Sequence, residues 1–190
     1  MVDEDDGPPL EARPAGVEDL VALCRSLNRE GARYVVIGGM AIIQAGFVRA
    51  TQDIDLLIEV SPDNLGRVRR ALMDLPDRAV EDMTDGDLEH YVVVRVADEI
   101  VVDLMKSACG VEYPEASTLV DRVNLQGVEI PFANAKLLWR TKQTIRDKDR
   151  QDRVFLAQLL GPDAQSRPGS VGRCARRPPW HRRRGPRHAD

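Results

Sequence analysis

Asp53 and Asp55 stand one residue apart in the run Asp53-Ile54-Asp55-Leu56-Leu57-Ile58-Glu59-Val60, with thirteen residues between this run and the pair Gly38-Gly39. The run is rich in strand formers, and side chains on a strand alternate faces with period two. Ile54, Leu56, Ile58 and Val60 therefore share one face, and Asp53, Asp55, Leu57 and Glu59 the other. Two residues of strand rise separate the two Asp Cα atoms by roughly 6.5 to 7 Å, so the carboxylates can converge on one cation or bracket two. Like charges held this close raise one another's pKa and cost stability unless a cation joins them. Mg2+ suits the pair, because it is a hard ion that takes one or two carboxylates plus phosphate oxygens and water. The chemistry to expect is the handling of a metal-bound triphosphate.

A third carboxylate lies in a similar setting. In Ile100-Val101-Val102-Asp103-Leu104-Met105 a single acid interrupts a run of apolar strand formers. An unpaired Asp inside a buried strand is costly unless it has a partner or a metal. As a third ligand, Asp103 could bind a metal and accept the proton of an attacking hydroxyl. The alternative is a strand-end residue that points to solvent or to an arginine. The glycine pair and the acid pair favour the first.

The phosphate end is supplied by Tyr34-Val35-Val36-Ile37, a short β-rich run, followed by Gly38-Gly39 and the apolar stretch Met40-Ala41-Ile42-Ile43-Gln44-Ala45, which is short enough for a buried helix. Glycines at a strand-to-helix turn let the backbone approach a ligand, and the new helix aims free N–H groups at an anion. A Gly-Gly alone more often marks a tight turn, and its specificity here comes from the acid pair downstream. Between the two, Arg49 could fork a phosphate and Thr51 could donate a hydroxyl; a salt bridge from Arg49 to one of the acids is an equal alternative.

These residues resemble a known family. Gly38-Gly39, Arg49-Ala50-Thr51-Gln52-Asp53-Ile54-Asp55 and Asp103 are similar to the DNA polymerase β nucleotidyltransferase superfamily, most closely its small bacterial branch of minimal nucleotidyltransferases and AbiEii-like toxins. Lys142 and the later Arg146-Asp147-Lys148-Asp149-Arg150-Gln151-Asp152 resemble the motif that closes many of those domains. The similarity covers roughly residues 31 to 160. It implies catalytic metals, Mg2+, on Asp53 and Asp55, with Asp103 completing the site and helping to activate the incoming hydroxyl. It further implies β- and γ-phosphates at Gly38-Gly39, and Lys142 facing the nucleotide or its acceptor. Lys148, Asp149 and Asp152 match the closing motif. Met40 departs from the pattern, since many members place Ser or Thr directly after the glycines. From the residues alone, the alternating charges of 146–152 fit equally well a solvated helix junction with Asp149 as N-cap before Val154 to Leu160. The resemblance tips this toward function.

Other elements must position these groups. Val17, Leu20, Val21, Cys24 and Leu27 recur at helical spacing, so residues 17–30 are expected to pack on the sheet as an amphipathic helix. Ser61-Pro62 starts a second helix, with a stripe of Leu65, Val68, Leu72 and Leu75 running to Pro76. Tyr91 to Val96 and Ile100 to Met105 flank Ala97-Asp98-Glu99 as a hairpin, which puts Asp103 on an antiparallel neighbour. Gly127 separates Arg122–Leu125 from Val128–Phe132, and helices are expected from Asn134 to about Ile145 and over 153–160. The order implies an α+β domain of the polymerase β-like nucleotidyltransferase fold, a mixed β-sheet flanked by helices.

At 190 residues and 43% hydrophobic content the chain suits one core, expected over 17–160. Residues 1–16, acidic with Pro and Gly, are expected to be a disordered leader, and 161–190 a disordered Arg- and Pro-rich tail. From Ser166 to Asp190 there are eight Arg against one Asp, although the whole chain carries −4. That segment could contact RNA phosphates, with Trp180 stacking on a base, or be a dispensable low-complexity extension; the second is favoured. No secretory segment or bilayer-length apolar run is present, so a cytoplasmic location is expected. Cys24, Cys109 and Cys174 are too scattered for a metal site, and His90, His181 and His188 likewise.

Two classes of function follow. The leading one is a metal-dependent enzyme that moves a nucleoside monophosphate from a nucleoside triphosphate to a hydroxyl on a tRNA end, a protein or an antibiotic, with pyrophosphate released. By analogy it is a toxin-antitoxin component with a cognate antitoxin as partner and no membrane. The other is a catalytically silent nucleotide-binding or protein-interaction module of the same fold, which Met40 supports and the three acids oppose.

Overall fold

The aliphatic runs pair into one sheet, and the turns between them decide its order. The computed structural model describes residues 12–84 and 86–161. In chain order the elements are α1 (Val17–Arg29), β1 (Tyr34–Ile37), α2 (Gly38–Gln44), β2 (Asp53–Ile58) and α3 (Pro62–Leu72). After a 3-10 turn at Ala79–Asp82 come α4 (Asp87–His90), β3 (Val93–Ala97), β4 (Val101–Met105), β5 (Ser107–Ala108), β6 (Val111–Glu112) and α5 (Tyr113–Ala116). Then follow β7 (Val120–Leu125), β8 (Val128–Ala133), α6 (Ala135–Thr141) and α7 (Asp147–Leu160). Residues 1–11 and 162–190, which hold most of the expected leader and tail together with Trp180, lie outside the described residues.

Six strands form a mixed sheet in the order β3-β4-β2-β1-β8-β7, and β5-β6 make a separate short ribbon. β1 is antiparallel to β2, β2 parallel to β4, and β4 antiparallel to β3. The architecture is the α+β arrangement expected, a mixed sheet flanked by helices. β1 and β2 lie at the centre, and from Ile54 onward β2 is buried throughout. This is why both read as near-continuous apolar runs with no clean alternation.

Local signals set the helices. α1 buries Leu20, Val21, Leu23, Cys24 and Leu27 on one stripe and packs on α3 and β8. Burial pushes the Cys24 thiol up to about 12, as befits an inert core thiol. α3 begins as expected, with Ser61 accepting from Asn64 N–H at 3.3 Å and Pro62 in the first turn. Asn134 caps α6 by accepting from Leu137 N–H at 3.0 Å. α6, however, stops at Thr141 instead of about Ile145, and α7 starts at Asp147, six residues before the expected 153. The charged residues 147–152 are thus helical, and Arg146 rather than Asp149 occupies the N-cap. Asp149 is drawn into the helix because its carboxylate finds cations there, described below. Among the described residues, no helix is long and apolar enough to cross a membrane.

The β3–β4 hairpin is pinned by a buried acid. Asp98 accepts backbone N–H groups from Asp77 (3.0 Å), Ala79 (2.9 Å) and Glu99 (2.8 Å), which ties the hairpin tip to the segment after α3. Arg13 adds an outer clasp, paired with Asp19 and Glu99. Removing the Asp98 carboxylate would take from three backbone donors the one buried acceptor they share. Asp98→Ala is expected to lower stability by about 3 kcal/mol, read as a drop in the urea midpoint at constant slope.

Candidate active site

The strand register builds the site. β1 pairs Ile37 with Asp55, β2 pairs Asp55 with Asp103, and β4 pairs Asp103 with Arg95, so one row across four strands reads Ile37, Asp55, Asp103, Arg95. Asp53 lies two residues before Asp55 on the same face. Each of Asp53, Asp55 and Asp103 offers a carboxylate oxygen, and these oxygens all lie within 4.8 Å of one another. Asp103 is fully buried and Asp55 is 7% exposed. The three acids singled out from the sequence are therefore brought together.

Unit charges about 5 Å apart repel by roughly 3 kcal/mol at an effective dielectric near 20, so the cluster demands a cation. Part of that demand is met by Arg95, a residue the sequence reading passed over. Its Nε donates to Asp103 Oδ1 at 2.8 Å, its Nη2 to Asp103 Oδ2 at 2.9 Å, and the same Nη2 reaches Asp53 Oδ2 at 3.3 Å. The Asp103 carboxylate raises the pKa of the Arg95 guanidinium. A signal for it existed: a hairpin centred on residues 98–100 pairs position 95 with 103. The donor set is all carboxylate oxygen, closely spaced and partly buried, which fits a hard divalent cation such as Mg2+ and does not fit a thiolate-seeking metal.

The glycine pair abuts the acids. Gly38 has φ +66°, in the left-handed region, and a Cβ placed on it would lie 1.9 Å from Asp55 Oδ2. A Cβ on Gly39 would lie 2.2 Å from Thr51 Oγ1 and 3.4 Å from Arg49 Nη1. Both positions therefore exclude any side chain, and the strand-to-helix turn packs directly on the metal-ligand candidates. Thr51 brings its hydroxyl against Gly39, where it donates to the Asp53 carbonyl at 3.3 Å. Met40 is buried in the core.

Arg49 and Lys142 belong to an adjoining buried cluster. Arg49 makes a bidentate pair with Asp152 of α7, at 2.8 and 3.0 Å, so the salt bridge expected to one of the strand acids forms instead with an acid of the closing motif. Lys142, 5% exposed, gives its Nζ to Asp149 Oδ1 at 3.1 Å and to Asp152 Oδ2 at 2.9 Å. Asp149 also accepts from the Thr144 hydroxyl and from Arg146 Nε at 2.7 Å. Arg153 caps the carbonyls of Lys142 (2.6 Å) and Thr144 (2.9 Å). The closing motif therefore divides between two faces: Asp149 and Asp152 are fully buried and paired, whereas Arg146, Asp147, Lys148 and Arg150 are exposed. The cluster ties α7 to the segment that carries Thr51 and Asp53.

Two outcomes follow from this packing. Gly38→Ala forces a Cβ into Asp55 and should cost at least about 2 kcal/mol, seen as a lowered thermal midpoint. Burial pushes the Asp149 carboxyl upward, but Lys142, Thr144 and Arg146 outweigh it and hold it below the ordinary carboxylate value. A depressed folded pKa stabilises above the unfolded value and loses that contribution as pH falls through the folded one. Asp149→Asn should therefore cost about 3 kcal/mol at pH 7. In urea unfolding the gap to wild type should narrow once pH drops below about 4.

No protein-family model matches the sequence, and no curated protein matches it either. Solved structures do match its shape. ANT(2")-Ia, an antibiotic nucleotidyltransferase solved in complex with adenylyl-2"-tobramycin, aligns over 77% of this chain and 90% of its own at 12% identity, with a TM-score of 0.50. An antigenic nucleotidyltransferase-like protein from Paracoccidioides brasiliensis aligns over 78% of this chain and 79% of its own at 18% identity, with a TM-score of 0.49. The chain has the nucleotidyltransferase fold.

Proposed function

We propose that this chain is a nucleotidyltransferase that moves a nucleoside monophosphate from a nucleoside triphosphate to a hydroxyl acceptor and releases pyrophosphate, with Mg2+ as its cofactor. The observation that carries this is the convergence of Asp53, Asp55 and Asp103 within 4.8 Å, next to a glycine turn that can accept no side chain. Asp53, Asp55 and Asp103 would hold the Mg2+, which when bound neutralises triphosphate charge and polarises the phosphate to be attacked. Backbone N–H groups at Gly38 and Gly39 face the β- and γ-phosphates. Thr51, whose hydroxyl sits against Gly39, would supply the side-chain donor that Met40 cannot by turning from the Asp53 carbonyl to a phosphate oxygen. Asp103 takes the proton from the acceptor hydroxyl as its oxygen bonds to the α-phosphorus and the bond to pyrophosphate breaks.

Arg49 and Lys142 act on the nucleotide from inside the α7 cluster. Each is committed to buried aspartates, so they fix the walls of the site and add positive potential, without being free to wrap a phosphate. The acceptors that fit this proposal best are a tRNA end or a protein side chain. The AbiEii-like toxin branch, with a cognate antitoxin as partner, is the finer assignment we adopt, on the resemblance of the Gly38-to-Asp55 segment and Asp103. The reaction belongs in the cytoplasm, where nucleoside triphosphates and Mg2+ are abundant. The competing proposal, a silent module of the same fold, draws on the occupation of Asp103 by Arg95.

Purified protein with Mg2+, each labelled nucleoside triphosphate and total tRNA separates the two. Wild type should transfer label to RNA or to protein, and Asp53→Ala and Asp55→Ala should each lower the rate by at least about a hundredfold. Transfer that survives both substitutions would remove the site from the chemistry. No transfer by wild type to RNA, protein or an aminoglycoside would favour the silent module.

A further inference from the structure

We propose that Arg95 is a built-in counter-ion that competes with the divalent cation for the acid cluster, so that loading the cation requires Arg95 to swing out. The inference rests on the proposal that Asp53, Asp55 and Asp103 hold such a cation. Arg95 spans the two ends of the cluster, with both oxygens of Asp103 and one of Asp53 within hydrogen-bond reach. Those are oxygens through which the same carboxylates would bind a metal. A guanidinium and a divalent cation cannot both take their lone pairs without charge repulsion.

Geometry supplies the way out. Arg95 lies on β3, the edge strand of the sheet, and its side chain is 40% exposed, whereas Asp103 is fully buried and Asp53 only 13% exposed. The anchored partners are the acids, and the movable one is the arginine. Its long stem can carry the charge into solvent at little cost. Arg49 cannot take over, because Asp152 holds it through two hydrogen bonds. In the metal-free protein Arg95 relieves the repulsion among three carboxylates and keeps β3, β4 and β2 in register. In the loaded protein it is released, positively charged, at the rim of the site.

Cation binding without nucleotide tests this directly. Mn2+ affinity, measured by electron paramagnetic resonance of the free ion, should rise at least about fivefold in Arg95→Gln. It should stay near wild type in Arg95→Lys and be lost in Asp53→Ala. Arg95→Gln should also melt lower than wild type without cation and gain more from adding it. As a measurement on wild type, the Arg95 Nε–H cross-peak, assigned by its loss in Arg95→Lys, should disappear or shift to the free position on titration with Mg2+. Mn2+ binding that depends on Asp53 but is no tighter in Arg95→Gln would overturn the inference alone, as would a cross-peak unmoved at saturating Mg2+. If neither wild type nor Arg95→Gln binds Mn2+, the cation site and the inference fall together.

Discussion

Three carboxylates gathered within 4.8 Å are the constraint around which this molecule is arranged. Left alone they would drive β2 and β4 apart, since each pair repels and the neighbouring backbone is dry. The sheet holds them together because the register that pairs Asp55 with Asp103 is fixed by a core of Ile54, Leu56, Val102 and Leu104 on the opposite face. A slip of one residue would turn these apolar side chains toward the acids' side, so burial of the core and assembly of the site are one event. The acids are anchored by hydrophobic area and presented as charge. What they then require is a cation, from Arg95 or from solution.

The rest of the architecture keeps access to that row narrow and well defined. Gly38 and Gly39 bring the start of α2 so close to Asp55 and Thr51 that no Cβ fits. On the far side, the Arg49–Asp152 pair and Lys142 bind α7 to the loop before β2, which stops that loop from relaxing away from the glycines. Such buried ion pairs contribute little net stability over an apolar core, but losing one partner is severe because the other is left charged and dry. Their value here is positional. They fix Thr51 and Asp53 beside the glycine turn, and the transfer proposed above would depend mainly on such positioning.

How much could be read from the chain divides along physical lines. The acid pair, the third acid and the glycine turn were readable because strand periodicity and turn chemistry are local, and local rules place side chains on faces. The Asp103–Arg95 contact is half legible: the hairpin connection at Ala97-Asp98-Glu99 implies it, but nothing local to β3 marks Arg95 off from any other outward-facing residue of an edge strand. Asp98 looked like an ordinary turn residue, and only the fold shows it gathering N–H groups from Asp77 and Ala79, some twenty positions away. The same applies to α7. Its start, Asp147 to Asp152, resembles a solvated junction by charge alternation, and the burial of Asp149 and Asp152 within it depends on Lys142, Thr144 and Arg49 arriving from elsewhere in the chain. Long-range charge pairing has no period, so sequence pattern cannot find it.

The account stands on a divalent cation seated between β2 and β4 next to the glycine turn. Its most direct test is a crystal structure of the protein with Mn2+ and a non-hydrolysable nucleoside triphosphate, with the metal located from its anomalous scattering. The expected result is a peak shared by Asp53, Asp55 and Asp103, phosphate density against Gly38 and Gly39, and Arg95 withdrawn from Asp103. A bound nucleotide elsewhere, or no metal peak at these carboxylates with Arg95 still closed on them, would contradict it.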